Sequence, residues 1–125
     1  MVVDTNALSA ILDAEPDARQ QFFRTREFAI PVIVLGEYRF GIAQSRRKRE
    51  YERWLEDLVS VSRVLVVSEE TAVEYFKIRV QLKEAGTPIP SNDTWIAALC
   101  QQHGLSILSR DRHFDYIQGL RRFEW

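Results

Sequence analysis

Apolar and polar positions along this chain switch between two periods. Short, mostly apolar runs occur at Val2-Val3, Phe28-Ala29-Ile30, Val64-Leu65-Val66-Val67 and Ser106-Ile107-Leu108, and they predict four strands, the first of them buried. Arg122-Phe123-Glu124-Trp125 adds a candidate last strand. The segments between them carry apolar residues at helical spacing. Leu8, Ile11 and Leu12 mark a helix from Ala7 to about Asp13, with Thr5 or Asn6 available as its cap. Glu15-Pro16-Asp17 breaks that helix and starts another, to about Arg24. Pro31 opens a helix at its first position, running to about Gln44. After a basic stretch, Tyr51, Trp54, Leu55 and Leu58 share one side of the next helix. Ser68, followed by Glu69 and Glu70, marks the start of a helix that carries Ala72, Val73, Phe76 and Val80 on one face and stops at Gly86. Thr87-Pro88-Ile89-Pro90 is a stiff loop, and a final helix spans Ser91 to about His103, ended by Gly104.

This alternation predicts one α/β domain over residues 1–125, with helices on both faces of a short parallel sheet of four to five strands. No repeat, linker or low-complexity segment interrupts it. In such sheets ligands bind beyond the carboxyl ends of the strands, where the strand order reverses. Asp4 and Asp111 both follow directly on strands and are therefore expected at that edge.

Composition narrows the function classes without naming one. A hydrophobic fraction of 46% and a charged fraction of 28% are those of an ordinary globular protein. The formal net charge of −1 excludes a bulk polycation, so any nucleic-acid binding must come from local patches. One cysteine, Cys100, allows no intrachain disulfide and fits a cytoplasmic protein; it is expected to be a small core residue. No apolar run approaches the roughly 18 residues of a membrane span, and the start of the chain has no basic region of the signal-peptide type.

Candidate chemistry lies in four acidic residues far apart in sequence: Asp4, Glu37, Asp93 and Asp111. Each has a bland alternative. Asp4 reads equally as a helix cap, and Ser91, Asn92 and Asp93 are all good caps, although a helix needs only one. Asp111 reads as a turn residue, and Asp115 as a further candidate ligand better suited to solvent. Glu37 is the most telling. Its neighbours at three and four positions are Ile33, Val34, Phe40 and Gly41, and a charge on an apolar face needs an arginine or a metal. Gly41 on that face suggests close approach of another backbone. Brought together, four carboxylates cannot all stay ionised without a counter-charge, and a hard divalent cation is the natural one. That combination points to metal-dependent chemistry on a phosphate.

The segments around these acids resemble the PIN-domain ribonucleases, and among them the VapC-type toxins of bacterial toxin–antitoxin pairs. Val2-Val3-Asp4-Thr5-Asn6 looks like the family's opening motif, and Val34-Leu35-Gly36-Glu37-Tyr38-Arg39-Phe40-Gly41 like its second. Asn92-Asp93-Thr94-Trp95-Ile96-Ala97-Ala98 is similar to the third and is the most specific. Ser109-Arg110-Asp111-Arg112-His113-Phe114 resembles the last, where the family varies between aspartate and asparagine and often has threonine in place of Ser109.

The resemblance implies a PIN-like three-layer α/β/α sandwich and an endoribonuclease. Asp4, Glu37, Asp93 and Asp111 would hold one or two Mg2+ or Mn2+ ions, and Thr5, Asn6, Asn92 and Ser109 would orient them. It further implies an RNA substrate and an inhibitory antitoxin protein, and surface near the helix from Pro31 and the helix from about Arg49 could pair two copies into a homodimer. The antitoxin is expected in a groove between the helix from Pro31 and the helix from about Arg49, where Phe40, Tyr51, Trp54 and Leu58 supply apolar surface. Arg46, Arg47, Lys48 and Arg49 could reach RNA backbone or simply solvate a turn, and His113 could contact substrate or be an ordinary loop residue. His103 is assigned no chemistry.

Three rival functions compete. A PIN-type nuclease of RNA maturation, or one acting on DNA, would use the same site. A metal-dependent phosphatase would often carry an Asp-x-Asp motif, which Asp4-Thr5-Asn6 lacks. A non-catalytic binding module would have no use for four clustered charges.

Overall fold

The computed structural model describes residues 1–125. Five strands form one parallel sheet: β1 (Val2–Val3), β2 (Ala29–Pro31), β3 (Arg63–Leu65), β4 (Ile107–Leu108) and β5 (Arg122–Phe123), in the order β3-β2-β1-β4-β5. Between them run helices α1 (Thr5–Leu12), α2 (Pro16–Arg24), α3 (Val32–Ile42), α4 (Lys48–Ser60), α5 (Glu69–Ala85) and α6 (Ser91–His103), and a 3-10 turn spans Arg112–Tyr116. Successive residues of a strand face opposite sides, yet Val2, Val3, Ile107 and Leu108 are all 0% exposed. Both faces of the sheet centre are therefore covered, as three layers require. The order reverses at β1, so right-handed crossovers carry α1 to α4 over one face and α5 and α6 over the other. Helix α6 contributes the most buried residues of any helix. Thr94 and the run Ile96 to Cys100 are buried, and burial pushes the Cys100 thiol up to about 12, so this cysteine is an inert core residue.

Several local expectations are corrected. Pro31 is not the first helical residue. It is the last residue of β2, paired with Leu65, and its extended backbone (ψ 141°) caps α3. Proline tolerates the end of a strand because nothing beyond it needs its missing N–H. Strand β3 stops at Leu65, where its partner β2 turns into α3, so Val66 and Val67 are exposed rather than paired. Gly41 admits no close backbone approach: a Cβ placed there would meet nothing within 4 Å. The core face of α3 is Val34, Tyr38 and Ile42, which leaves Glu37 beside that face, half-buried at its margin. Helix α5 buries Thr71, Ile78 and Leu82, with Tyr75 packed against the core; Val73, Phe76 and Val80 are 47%, 59% and 44% exposed. The apolar stripe in the sequence is thus the outward face of α5.

Candidate metal centre

The site forms at the switch point, where β1 and β4 lie side by side and end at the same edge. Asp4 ends β1 and is itself the cap of α1, as its alternative reading has it, and neither Thr5 nor Asn6 takes that place. One carboxylate oxygen accepts the Ala7 N–H at 2.7 Å, and the other accepts the Ser109 hydroxyl. Burial pushes the Asp4 carboxyl above its ordinary range. The bonds from Ser109 and Ala7 oppose that shift, and the charges of Asp93 and Asp111 add to it. Ser109, buried just after β4, also accepts the Asp111 N–H at 2.9 Å. One hydroxyl thereby ties the ends of the two central strands together.

Asp111 caps the 3-10 turn by accepting the His113 N–H at 2.9 Å. Asp93 lies in the first turn of α6, where Pro90 is the capping residue and makes no side-chain cap. None of Ser91, Asn92 and Asp93 is therefore spent on capping. Burial raises the Asp93 carboxyl above its ordinary range, with further push from Asp111 and Glu37 and opposition from His113. Glu37 reaches in from α3. It accepts the Thr5 hydroxyl at 2.9 Å and the Asn92 amide at 3.4 Å, and no arginine pairs with it.

The fold thus gathers Asp4, Glu37, Asp93 and Asp111 with three of the four expected orienting groups, Thr5, Asn92 and Ser109. Asn6 is exposed, and its side chain hydrogen-bonds none of the acids. Asp115 turns away to a two-point ion pair with Arg122 (2.7 and 2.9 Å), which holds its carboxyl below the usual range. Neither lysine nor arginine neutralises any of the four acids; the sole basic partner is His113, whose Nδ1 stands 3.1 Å from Asp111 and 3.4 Å from Asp93. Carboxylate oxygens without a lysine or arginine among them are the donors a hard divalent ion takes, and donor atoms of Asp93, Asp111 and His113 lie within 4.8 Å of one another, close enough to share one. Two residues of the basic stretch pair elsewhere: Arg47 with Glu50 at 2.8 Å, Lys48 with Glu52 at 3.9 Å.

Two features go beyond the sequence reading. His113, expected as a substrate contact or an ordinary loop residue, sits on the acid cluster itself. An apolar groove of about 560 Å³ lies between α1, α2 and α4, lined by Ile11, Leu12, Phe22, Phe23, Trp54 and Leu58. It is not the expected groove between α3 and α4, and Phe40, 85% exposed, does not line it.

Comparison with known proteins places this geometry in a family. The PIN domain model matches residues 1–120. The chain is 30% identical to "Ribonuclease VapC4" of Mycobacterium tuberculosis over 94 residues, covering 74% of this chain and 72% of that one. It is 28% identical to the "tRNA(fMet)-specific endonuclease VapC" of Salmonella typhimurium, covering 99% and 96%. Among solved structures, DNA-bound VapBC from Salmonella typhimurium superposes with a TM-score of 0.88 at 28% identity, over 99% of this chain and 96% of that chain. With the family model spanning almost every residue and the four acids gathered at the switch point, this chain belongs to the PIN-domain family.

Proposed function

We infer that this protein is a divalent-metal-dependent endoribonuclease and the toxin of a toxin–antitoxin pair. The observation that carries the reading is the convergence of Asp4, Glu37, Asp93 and Asp111 with no lysine or arginine among them. VapC ribonucleases among its relatives supply the substrate class. The four acids would hold Mg2+ or Mn2+, which when bound supplies Lewis acidity toward a phosphate oxygen and the attacking water. The chain's own groups do the positioning. Ser109 and the Ala7 N–H fix both oxygens of Asp4, while Thr5 and Asn92 fix Glu37. The uncapped first turn of α6 favours an anionic phosphate beside Asp93. A toxin that cleaves the RNA of its own host would act in the cytoplasm.

An antitoxin partner follows from the same reading, since VapBC complexes are among the structural neighbours. The groove between α1, α2 and α4 suits an amphipathic segment of that partner: its floor is apolar, and Arg19, Arg47, Asp13 and Asp57 at its edges offer charges of both signs. Self-association fits the outward stripe of α5.

The test is purified protein with total RNA, with and without Mn2+, and with cleavage ends mapped. Metal-dependent internal cleavage is expected, with a loss of at least about 100-fold in folded Asp93→Ala, as for removal of several kcal/mol of charge stabilisation. Full activity in folded Asp93→Ala, or cleavage of DNA alone, would overturn the assignment.

A further inference from the structure

We propose that His113 is a metal ligand: its Nδ1 joins Asp93 and Asp111 around one divalent ion, and this mixed nitrogen–oxygen shell favours Mn2+ over Mg2+. The proposal rests on the metal-dependent reading above and names a ligand that reading does not require.

Local structure puts the imidazole there. Asp111 accepts the His113 N–H and starts the 3-10 turn, and the next residue, Phe114, is fully buried and anchors it. The turn brings Nδ1 to 3.1 Å from Asp111 Oδ1 and 3.4 Å from Asp93 Oδ2. Donor atoms of the three residues all lie within 4.8 Å of one another. Adjacent corners of an octahedron with bonds of about 2.1 Å stand about 3.0 Å apart, so this spacing suits neighbouring ligands of one small ion. No other side chain hydrogen-bonds this imidazole, and no lysine or arginine competes for the two carboxylates. The preference follows from donor chemistry. Mg2+ takes an oxygen shell and gives up water reluctantly, whereas Mn2+, though the weakest binder among the first-row transition ions, accepts an imidazole nitrogen more readily than Mg2+ does. A plain hydrogen bond from the imidazole to the carboxylates would give the same distances, so the experiment must see the metal.

Mn2+-loaded full-length protein is examined by pulsed electron paramagnetic resonance for coupling to imidazole nitrogen. Calorimetric titrations with Mn2+ and with Mg2+ are run on the parent, His113→Ala and His113→Asp. Nitrogen coupling is expected in the parent and absent in His113→Ala. The only other histidine, His103, ends α6 beside Arg63, so the loss identifies His113. Mn2+ affinity should fall by about 10-fold or more in His113→Ala, with Mg2+ affinity changed by less than about 3-fold. His113→Asp, which restores an oxygen donor, should move the preference toward Mg2+. Mn2+ bound to the parent without nitrogen coupling, or equal losses for both ions, overturns the role of His113 and leaves the carboxylate site standing. A parent that binds neither ion overturns the metal reading itself, and this proposal with it.

Discussion

Asp4 carries two roles on one carboxylate. It caps α1 through Ala7, and it brings a buried charge to the acid cluster. Burial holds its carboxyl above the ordinary range, so the folded protein binds that proton more tightly than the unfolded chain does. The associated stability is fully present below the unfolded value near 3.9 and is lost as pH rises through the folded value. At neutral pH the metal-free protein therefore bears the full penalty of the ionised group. Asp4→Asn removes the charge, keeps an oxygen for the Ala7 N–H and presents an amide to Ser109. Metal-free Asp4→Asn should melt above the parent at pH 7, with the gap closing toward pH 4. Mn2+ at roughly a hundred times its dissociation constant stabilises the parent by about 2.7 kcal/mol, a rise of roughly 10 °C for a domain of this size. Asp4→Asn should lose most of that rise. Thermal melts over pH and Mn2+ check both; a variant that melts lower at pH 7 and responds fully to Mn2+ would remove Asp4 from the site. The acids themselves were legible because charge in an apolar setting is conspicuous. His113 was not, since its proximity to Asp93 is created by packing of the 3-10 turn against α6 rather than by any spacing in the chain.

Elements were legible where a local signal ends them. Gly86 and Gly104 close α5 and α6 in the left-handed conformation, at φ 68° and 62°, and Ser68 with Thr71 caps α5. Which face of α5 is inside was not legible. Val73, Phe76 and Val80 make a cleaner apolar stripe than the true core face, which buries the Thr71 hydroxyl against Gln102. Periodicity identifies an apolar face but not what covers it. The start of α4 shows the same limit for charge. Arg47 pairs with Glu50 and lies over the rings of Tyr51 (5.3 Å) and Trp54 (5.2 Å), and Lys48 reaches Glu52. Two of the four consecutive cations are thus engaged within their own helix, and Arg46 and Arg49 remain free for phosphate. If both neutralise phosphates of single-stranded RNA, changing both to Ala should lower the slope of log affinity against log salt by about 1.4. Fluorescence anisotropy of labelled RNA on the cleavage-deficient Asp93→Ala background, across a salt series, reads that slope. An unchanged slope would confine the stretch to solvating the turn between α3 and α4.

At the scale of the molecule, alternation alone predicts the parallel sheet, and reversal of strand order at β1 predicts the edge where the site lies. Surfaces that meet other molecules obey no such rule, because an apolar residue facing a partner looks in sequence like one facing the core. The outward stripe of α5 is the clearest instance. Val73, Phe76 and Val80 fall at helical spacing on one line, all exposed, and a single such line is too narrow for a stable interface. Against its own copy, related by a two-fold axis, the stripe meets itself, so each apolar line covers the other and the polar residues beside it form the rest of the contact. Phe76, the largest of the three, would lie at the centre and contribute most. Phe76→Glu should convert a dimer of the parent to monomer at micromolar concentration, because two buried like charges would face one another across the axis. Phe76→Leu should retain the dimer. Neither change touches the acids at the switch point, so metal binding by the monomer should persist. Light scattering coupled to size exclusion reads the mass, and a Mn2+ titration of the same samples confirms that the site is intact. A parent that is monomeric, or a Phe76→Glu variant that stays dimeric, would place any self-association on another face of the fold.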